Sequence, residues 1–388
     1  MDIRQIYEFV NAATGEALGV TDLVNENLSN IVSVGESIFN ANAMDKYVKA
    51  LVNRIGKVIF VNRVYQGSAP SVMMDGWEYG SVLQKISAGL PDATINETWE
   101  LEDGQSYDPH IFHKPKGVQA KFYNKYVTFE IDMSFTEDQL KMSFTSAEEM
   151  NGFISMLYTN VDNSMTVKVD ELIRRTINNL IIETIYDEYQ GAGLGTKSGA
   201  KAINILRLYN ATLPATDTPL TAENCMSNPN FIRYAAYIIK LTHGRMRSMS
   251  QIYNVGKQPR FTPKDMSHIV LLEDFASAAD VFLQSSTFHN ELTALPTAET
   301  VPYWQGSGTD FSFANVSKID AQSSQGHSLN TSGILGVMFD RWALGVTNVD
   351  KKVTSQWTPN AEFFTNFYKY KAGFFNDLNE NFVVFFVA

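Results

Sequence analysis

Between Ser146 and Tyr189 apolar side chains recur at gaps of three and four: Met150, Phe153, Ile154, Leu157, Tyr158, Val161, Met165, Val169, Leu172, Ile173, Ile177, Leu180, Ile181 and Ile185. That spacing puts them on one stripe of an α-helix. Ser146 with Glu149 three places on forms a capping box, in which each side chain meets an orphan N–H of the first turn. Gly191, Gly193 and Gly195 then end the helix. At 1.5 Å per residue such a rod is about 65 Å long, against a usual length of about 11–12 residues. Asp162, Lys168, Asp170, Glu171, Arg174 and Arg175 interrupt the apolar run, so it is no membrane span. The alternative is two shorter helices broken near Asn163, within the polar run 160–164. A single long helix near the middle of the chain predicts a scaffold on which β elements hang.

The flanking pattern is weaker. Residues 1–45 carry Asn25, Asn27, Asn30, Asn40 and Asn42 among small residues and read as a poorly packed arm with one short helix over 2–12. A helix is expected over Met44–Ile55 and a strand over Lys57–Tyr65. Residues 66–117 show recurrent turn signals, among them Asp75-Gly76, Asp103-Gly104 and Lys116-Gly117, and little apolar content. This predicts a protruding hairpin, with a strand over Ile95–Glu102. A further strand is expected over Ala120–Met133.

Beyond the glycines the pattern predicts helices over Phe231–Met249 and Phe275–Phe282. Strands are expected over His268–Leu272, Phe311–Ile319, Ile334–Phe339 and Trp342–Val346, with a Ser/Gln/Gly loop over Ala321–Ser332. The chain ends in aromatic strands, Phe363–Tyr370 and Phe382–Val387. The last run is too short for a bilayer, so it must be buried in a sheet.

Composition narrows the class. Hydrophobic residues make up 44% and charged residues 19% of the 388, which is enough apolar content for a core. The lone Cys225 excludes intramolecular disulfides and cysteine-based zinc sites, and fits a reducing compartment. Asp2, Arg4 and Glu8 break up the N-terminus, so no signal peptide is read. A net charge of -11 disfavours direct binding of nucleic acid.

Candidate chemistry is thin. Gly191-Ala192-Gly193-Leu194-Gly195 resembles a dinucleotide loop but follows a helix, whereas that loop must follow a strand. His110 and His113 lie between Pro109 and Pro115, which forbid the regular helix a metal pair would need. Glu97, Glu100, Glu102 and Asp103 cluster, and paired carboxylates can serve glycoside hydrolysis; on a strand they are usually its wet face. Cys225 has no base nearby in sequence. No catalytic residue, cofactor site or metal site is therefore expected.

The order of elements carries more. Arm, short helix, long hairpin, strand, long helix, mixed region and terminal strand resemble the major capsid proteins of tailed bacteriophages, an α+β fold of the Hong Kong 97 type. The text is most similar to small podophages of Gram-positive bacteria at Leu51-Val52-Asn53-Arg54-Ile55-Gly56, Phe144–Leu157, Val337-Met338-Phe339-Asp340-Arg341-Trp342 and the terminal strand after Asn381. The resemblance implies an N-terminal arm and short helix over 1–56 and an extended hairpin loop over 57–120. It also implies a peripheral domain with the spine helix over 121–190, an axial domain over 191–362, and terminal strands over 363–388 returning to the peripheral domain. It implies a shell protein that self-assembles as pentamers and hexamers into an icosahedral head. Scaffold, portal and decoration proteins would be its partners, and the head would enclose double-stranded DNA without sequence-specific binding or any membrane. Assembly would take place in the host bacterial cytoplasm and the product would be the virion. Trp77, Tyr79 and Trp99 are the expected intersubunit contacts on the hairpin. No crosslinking Lys–Asn pair is identified. The alternatives are a nanocompartment shell of the same fold, or an acidic, aromatic-rich carbohydrate-active enzyme.

Overall fold

The computed structural model describes residues 3–19, 24–25, 28–41, 43, 46–47, 50, 69–74, 83–89, 103–104, 110, 117–136, 138, 147–284, 298–305 and 309–388. Its helices, in chain order, are α1 (Ile3–Leu18), α2 (Ile31–Asn40), α3 (Ala147–Tyr189), α4 (Ile205–Asn210), α5 (Pro229–Met246), α6 (Glu273–Gln284) and the single turn α7 (Phe313–Val316). The strands are β1 (Leu83–Ser87), β2 (Gln119–Tyr123), β3 (Tyr126–Thr136), β4 (Ala202–Asn204), β5 (Ser267–Leu272) and β6 (Glu299–Val301). They continue with β7 (Ile319–Gln322), β8 (Ser328–Thr331), β9 (Ile334–Asp340), β10 (Leu344–Thr358), β11 (Phe363–Asn376) and β12 (Phe382–Phe386).

α3 is one unbroken helix of 43 residues. The polar run 160–164 does not break it, because Val161 within the run and Met165 just after it are fully buried and hold the helix to its support. The stripe continues through Val169, Ile173, Ile177, Leu180, Ile181 and Ile185, all buried. The helix stops where Gln190 and Gly191 take positive φ, a left-handed turn that glycine enters at no steric cost.

α3 touches the β7–β8 hairpin and strands of two larger sheets. One is antiparallel, in the order β10-β11-β3. The other has five strands in the order β4-β12-β9-β5-β6, with β12 parallel to β4 and antiparallel to β9. α5 and α6 cover its far face: Phe231, Ile239 and Phe275 pack there with Val383 and Phe385, while Phe382, Val384 and Phe386 belong to the core that contains α3. Helix α5 begins where Asn228 accepts from the N–H groups of Asn230 and Phe231, with Pro229 at the first position.

Four expectations are corrected. The terminal strands over 363–388 were expected to return together to the peripheral domain with the strand near 121–133. β11 does pair with β3 there, but β12 lies in the five-stranded sheet. β3 alternates exposed and covered positions, so its sheet has one wet face, whereas β12 is apolar and buried on both faces and needs cover on both. The arm is not loosely packed where it is described. Val10, Ala13, Ile31, Val34 and Ile38 fall at gaps of three and four and are buried in the α3 core. The strand expected over 311–319 is instead the turn α7 followed by β7. The loop expected over 321–332 contains the hairpin β7–β8. The helix over 44–55 falls mostly, and the strands over 57–65 and 95–102 wholly, outside the described residues.

Candidate assembly surface

The base of the predicted hairpin is a two-stranded stem. β1 and β2 pair antiparallel, from Leu83 opposite Tyr123 to Ser87 opposite Gln119. Ala120 stands opposite Ile86. Alternation divides the stem into two faces. The outer face shows Ile86 at 65% exposure and Phe122 at 64%, with Val118 and Tyr126 also exposed nearby. Large apolar side chains held this far into water on a short ribbon make this face a candidate contact surface.

The inner face is ionic. Lys85 and Lys121 stand directly opposite each other, an arrangement that repels. The loop between β11 and β12 supplies the counter-charge. Lys85 Nζ donates to Asp377 Oδ2 and Glu380 Oε1, each at 2.7 Å, and to the Trp342 carbonyl at 3.1 Å. Lys121 Nζ donates to the other oxygen of Asp377. Arg260 Nε lies 3.5 Å from the same Glu380 oxygen. Asn379 Nδ2 donates to Gln119 Oε1 at 3.1 Å, and the Tyr123 ring packs on Phe375 with centroids 5.0 Å apart. Gly256 lets the neighbouring loop come close: its N–H donates to the Leu378 carbonyl, and a side chain there would collide with Asn379.

Burial alone would raise both carboxyls. At Asp377 the two lysines and the Asn379 N–H outweigh it and hold the carboxyl below the usual carboxylate range. At Glu380 burial wins over Lys85 and Arg260, and the carboxyl lies above that range. The two therefore act in opposite senses on stability. Asp377 contributes stability at neutral pH that is lost as pH falls below about 4, where the unfolded chain binds the extra proton. Glu380 favours the fold when protonated, and that contribution is lost as pH rises through its own raised value. Asp377→Asn is expected to cost about 1–3 kcal/mol at pH 7, because it leaves Lys85 with Glu380 alone to offset the neighbouring Lys121. The cost should shrink below pH 4. Glu380→Gln should cost less. Urea unfolding of both variants at pH 7 and pH 3.5 checks this, and equal losses at both pH values would refute the assignment.

The other sequence candidates do not gather into a site. Trp77, Tyr79 and Trp99 lie outside the described residues, as do His113, Glu97, Glu100 and Glu102; His110 and Asp103 are exposed. Cys225 is fully buried, and burial pushes its thiol up to about 11, which makes it a poor nucleophile. The 191–195 glycines follow α3 and open no helix, so the dinucleotide context is absent there. No cluster of metal-ligating side chains occurs among the described residues. The ionic clamp was missed because its partners lie 256 to 295 positions apart in the chain. The only local signal was an Asp-Leu-Asn-Glu run between two aromatic strands.

The family model of the Phi29-like phage major capsid protein matches residues 9–386. The major capsid protein of Bacillus phage B103 is 20% identical over 374 residues, covering 95% of this chain and 70% of that protein. The major capsid protein of Bacillus phage GA-1 is 20% identical over 189 residues, covering 48% of this chain and 39% of that protein. The chain thus matches well under half of the GA-1 protein's length. Among solved structures, the capsid of Staphylococcus phage Andhra is similar at a TM-score of 0.48 and 10% identity, covering 84% of this chain and 86% of that one. The capsid of Cyanophage P-SCSP1u is similar at 0.46 and 9%, covering 84% and 90%.

Proposed function

Because the chain belongs to the Phi29-like phage major capsid protein family, we propose that it is the repeating subunit of a phage head, self-assembling into an icosahedral shell around double-stranded DNA. The observation that carries this reading is the match of the family model across residues 9–386. The exposed apolar face of the stem supports it, since a surface of that kind gains by burial against another copy. The acidic balance of -11 suits a shell that holds DNA without adhering to it.

In this reading residues 121–190 with β11 form the peripheral part. Residues 191–362 with β12 form the axial part, which packs around five- and six-fold axes as pentamers and hexamers. Residues 57–120 reach over a neighbouring subunit, with Trp77, Tyr79 and Trp99 as anchors. Scaffold, portal and decoration proteins join during assembly in the host cytoplasm, and the subunit ends in the virion. Catalysis has no part in it. The test is to treat purified particles with nuclease and then analyse their contents. Protected double-stranded DNA of genome length is expected; a protein cargo in place of DNA would contradict the reading.

A further inference from the structure

A cavity of about 790 Å³ opens between the turn that joins β2 to β3, the middle of α3, the turn of the β7–β8 hairpin and the end of β11. Its walls are firmly built. The β7–β8 turn is pinned to α3 at two points. The Ser324 N–H donates to Asn179 Oδ1 at 2.7 Å, and His327 Nδ1 lies 3.0 Å from buried Glu183 while its ring stacks on Tyr186. On the opposite wall Arg174 pairs with Asp170 at 3.2 Å and lies over the Tyr303 ring.

Two features of this cavity lack a counterpart. Lys125 and Arg175 both line it, and neither makes an ion pair among the described residues; the one carboxylate on its wall, Glu171, is already paired with Lys168. Asn178, only 7% exposed, donates from its side-chain nitrogen to the Trp304 carbonyl, and Asn376 does the same to the Thr176 carbonyl. Those bonds fix both amide orientations, because a flip would set oxygen against oxygen. Each Oδ1 is then left buried without a donor. A site with unpaired cations and orphan acceptors calls for an occupant that carries both carboxylates and N–H groups. An acidic peptide does.

We infer that the cavity binds an acidic peptide segment of a second copy of this chain, the run Glu97–Asp103, whose seven residues include Glu97, Glu100, Glu102 and Asp103. The inference rests on the shell reading. The described stem runs from Leu83 opposite Tyr123, which borders the cavity, to Ser87 opposite Gln119. The run 97–103 is joined to the chain through Ser87 and Gln119, at the end of the stem away from the cavity, and its carboxylates complement the Lys125 and Arg175 of another copy. Phosphates of a nucleic acid would also suit Lys125 and Arg175, but the net charge of -11 opposes their approach.

The test is charge reversal with rescue. Arg175 is exposed, so Arg175→Glu should fold as the parent does. Arg175→Glu and Glu100→Arg alone should each lower the fraction of protein in closed particles at least tenfold by sedimentation velocity. The double variant should return to within about twofold of the parent. A labelled peptide of residues 94–104 should bind the full chain and lose at least tenfold in affinity on Arg175→Glu. Single variants that assemble like the parent, or a double variant that stays folded without rescue, would overturn the inference while leaving the shell reading intact. A parent that forms no particles would overturn both. Binding of a single-stranded oligonucleotide, but not the peptide, in an Arg175-dependent way would replace the peptide with nucleic acid and overturn the inference.

Discussion

Val384→Asp is expected to leave no soluble, folded protein. Val384 is fully buried and sits in β12 opposite Val337 on one side and Ala202 on the other. Its neighbours Phe382 and Phe386 face the core around α3, while Val383 and Phe385 face the core beneath α5 and α6. One five-residue strand thus closes two hydrophobic cores. An unpaired carboxylate at its centre costs several kcal/mol, against a total stability of about 5–15 kcal/mol for an ordinary domain. Phe385→Ala is the milder member of the series, at about 3–5 kcal/mol. Thr128→Asp, on the exposed face of β3 and opposite Lys371, should stay within about 0.5 kcal/mol. Soluble yield and urea unfolding measure all three. A Val384→Asp protein with the parent's yield and midpoint would show that β12 is not the strand that joins the cores.

How much of this was legible depends on how locally each element is determined. The spine helix could be read almost to its ends, because its stripe repeats through Val161, Met165, Val169 and onward, and every residue of it answers to the same support. β5, β9 and β12 were legible for a related reason: strands buried on both faces read as near-continuous apolar runs. β10 was read only over its first residues. Its continuation through Asn348, Lys351, Lys352, Ser355 and Gln356 is polar, and it is a strand because β11 pairs with it through to Thr358. The β7–β8 hairpin was hidden in the same way: its Ser/Gln/Gly turn is held by Asn179 and Glu183 of α3. The candidate surface was legible as a protruding hairpin with turn signals at Asp103-Gly104 and Lys116-Gly117. The clamp beneath it was not, since Lys85, Lys121 and Arg260 meet Asp377 and Glu380 only through the tertiary fold.

Replacing residues 90–116 with a short Gly/Ser turn is expected to abolish closed particles while leaving a folded subunit. The body should survive for two reasons. The stem it retains is fastened by the Lys85–Asp377–Glu380 clamp and by Tyr123 on Phe375. Its ends are also close enough for a tight turn, since a Cβ at Gly117 would lie 3.8 Å from the Gly89 nitrogen. The excised run is too poor in apolar residues to form a core of its own, and a lone hairpin is marginal in water. In the proposed shell its residues would gain by contact with another copy, where Trp77 and Tyr79, which the variant retains, would lose Trp99 as a companion anchor. Circular dichroism should match the parent, and sedimentation velocity should show the large species gone. Closed particles from the shortened chain would remove the extended loop from the account.

Closure of this chain into a shell, by itself or with its assembly partners, can be seen directly. Electron microscopy of the purified full-length protein tests it most directly. Hollow, closed particles of uniform size with five-fold and six-fold clusters of subunits are the predicted result. A field of small, separate molecules under every assembly condition, with or without the phage's other head proteins, would contradict it.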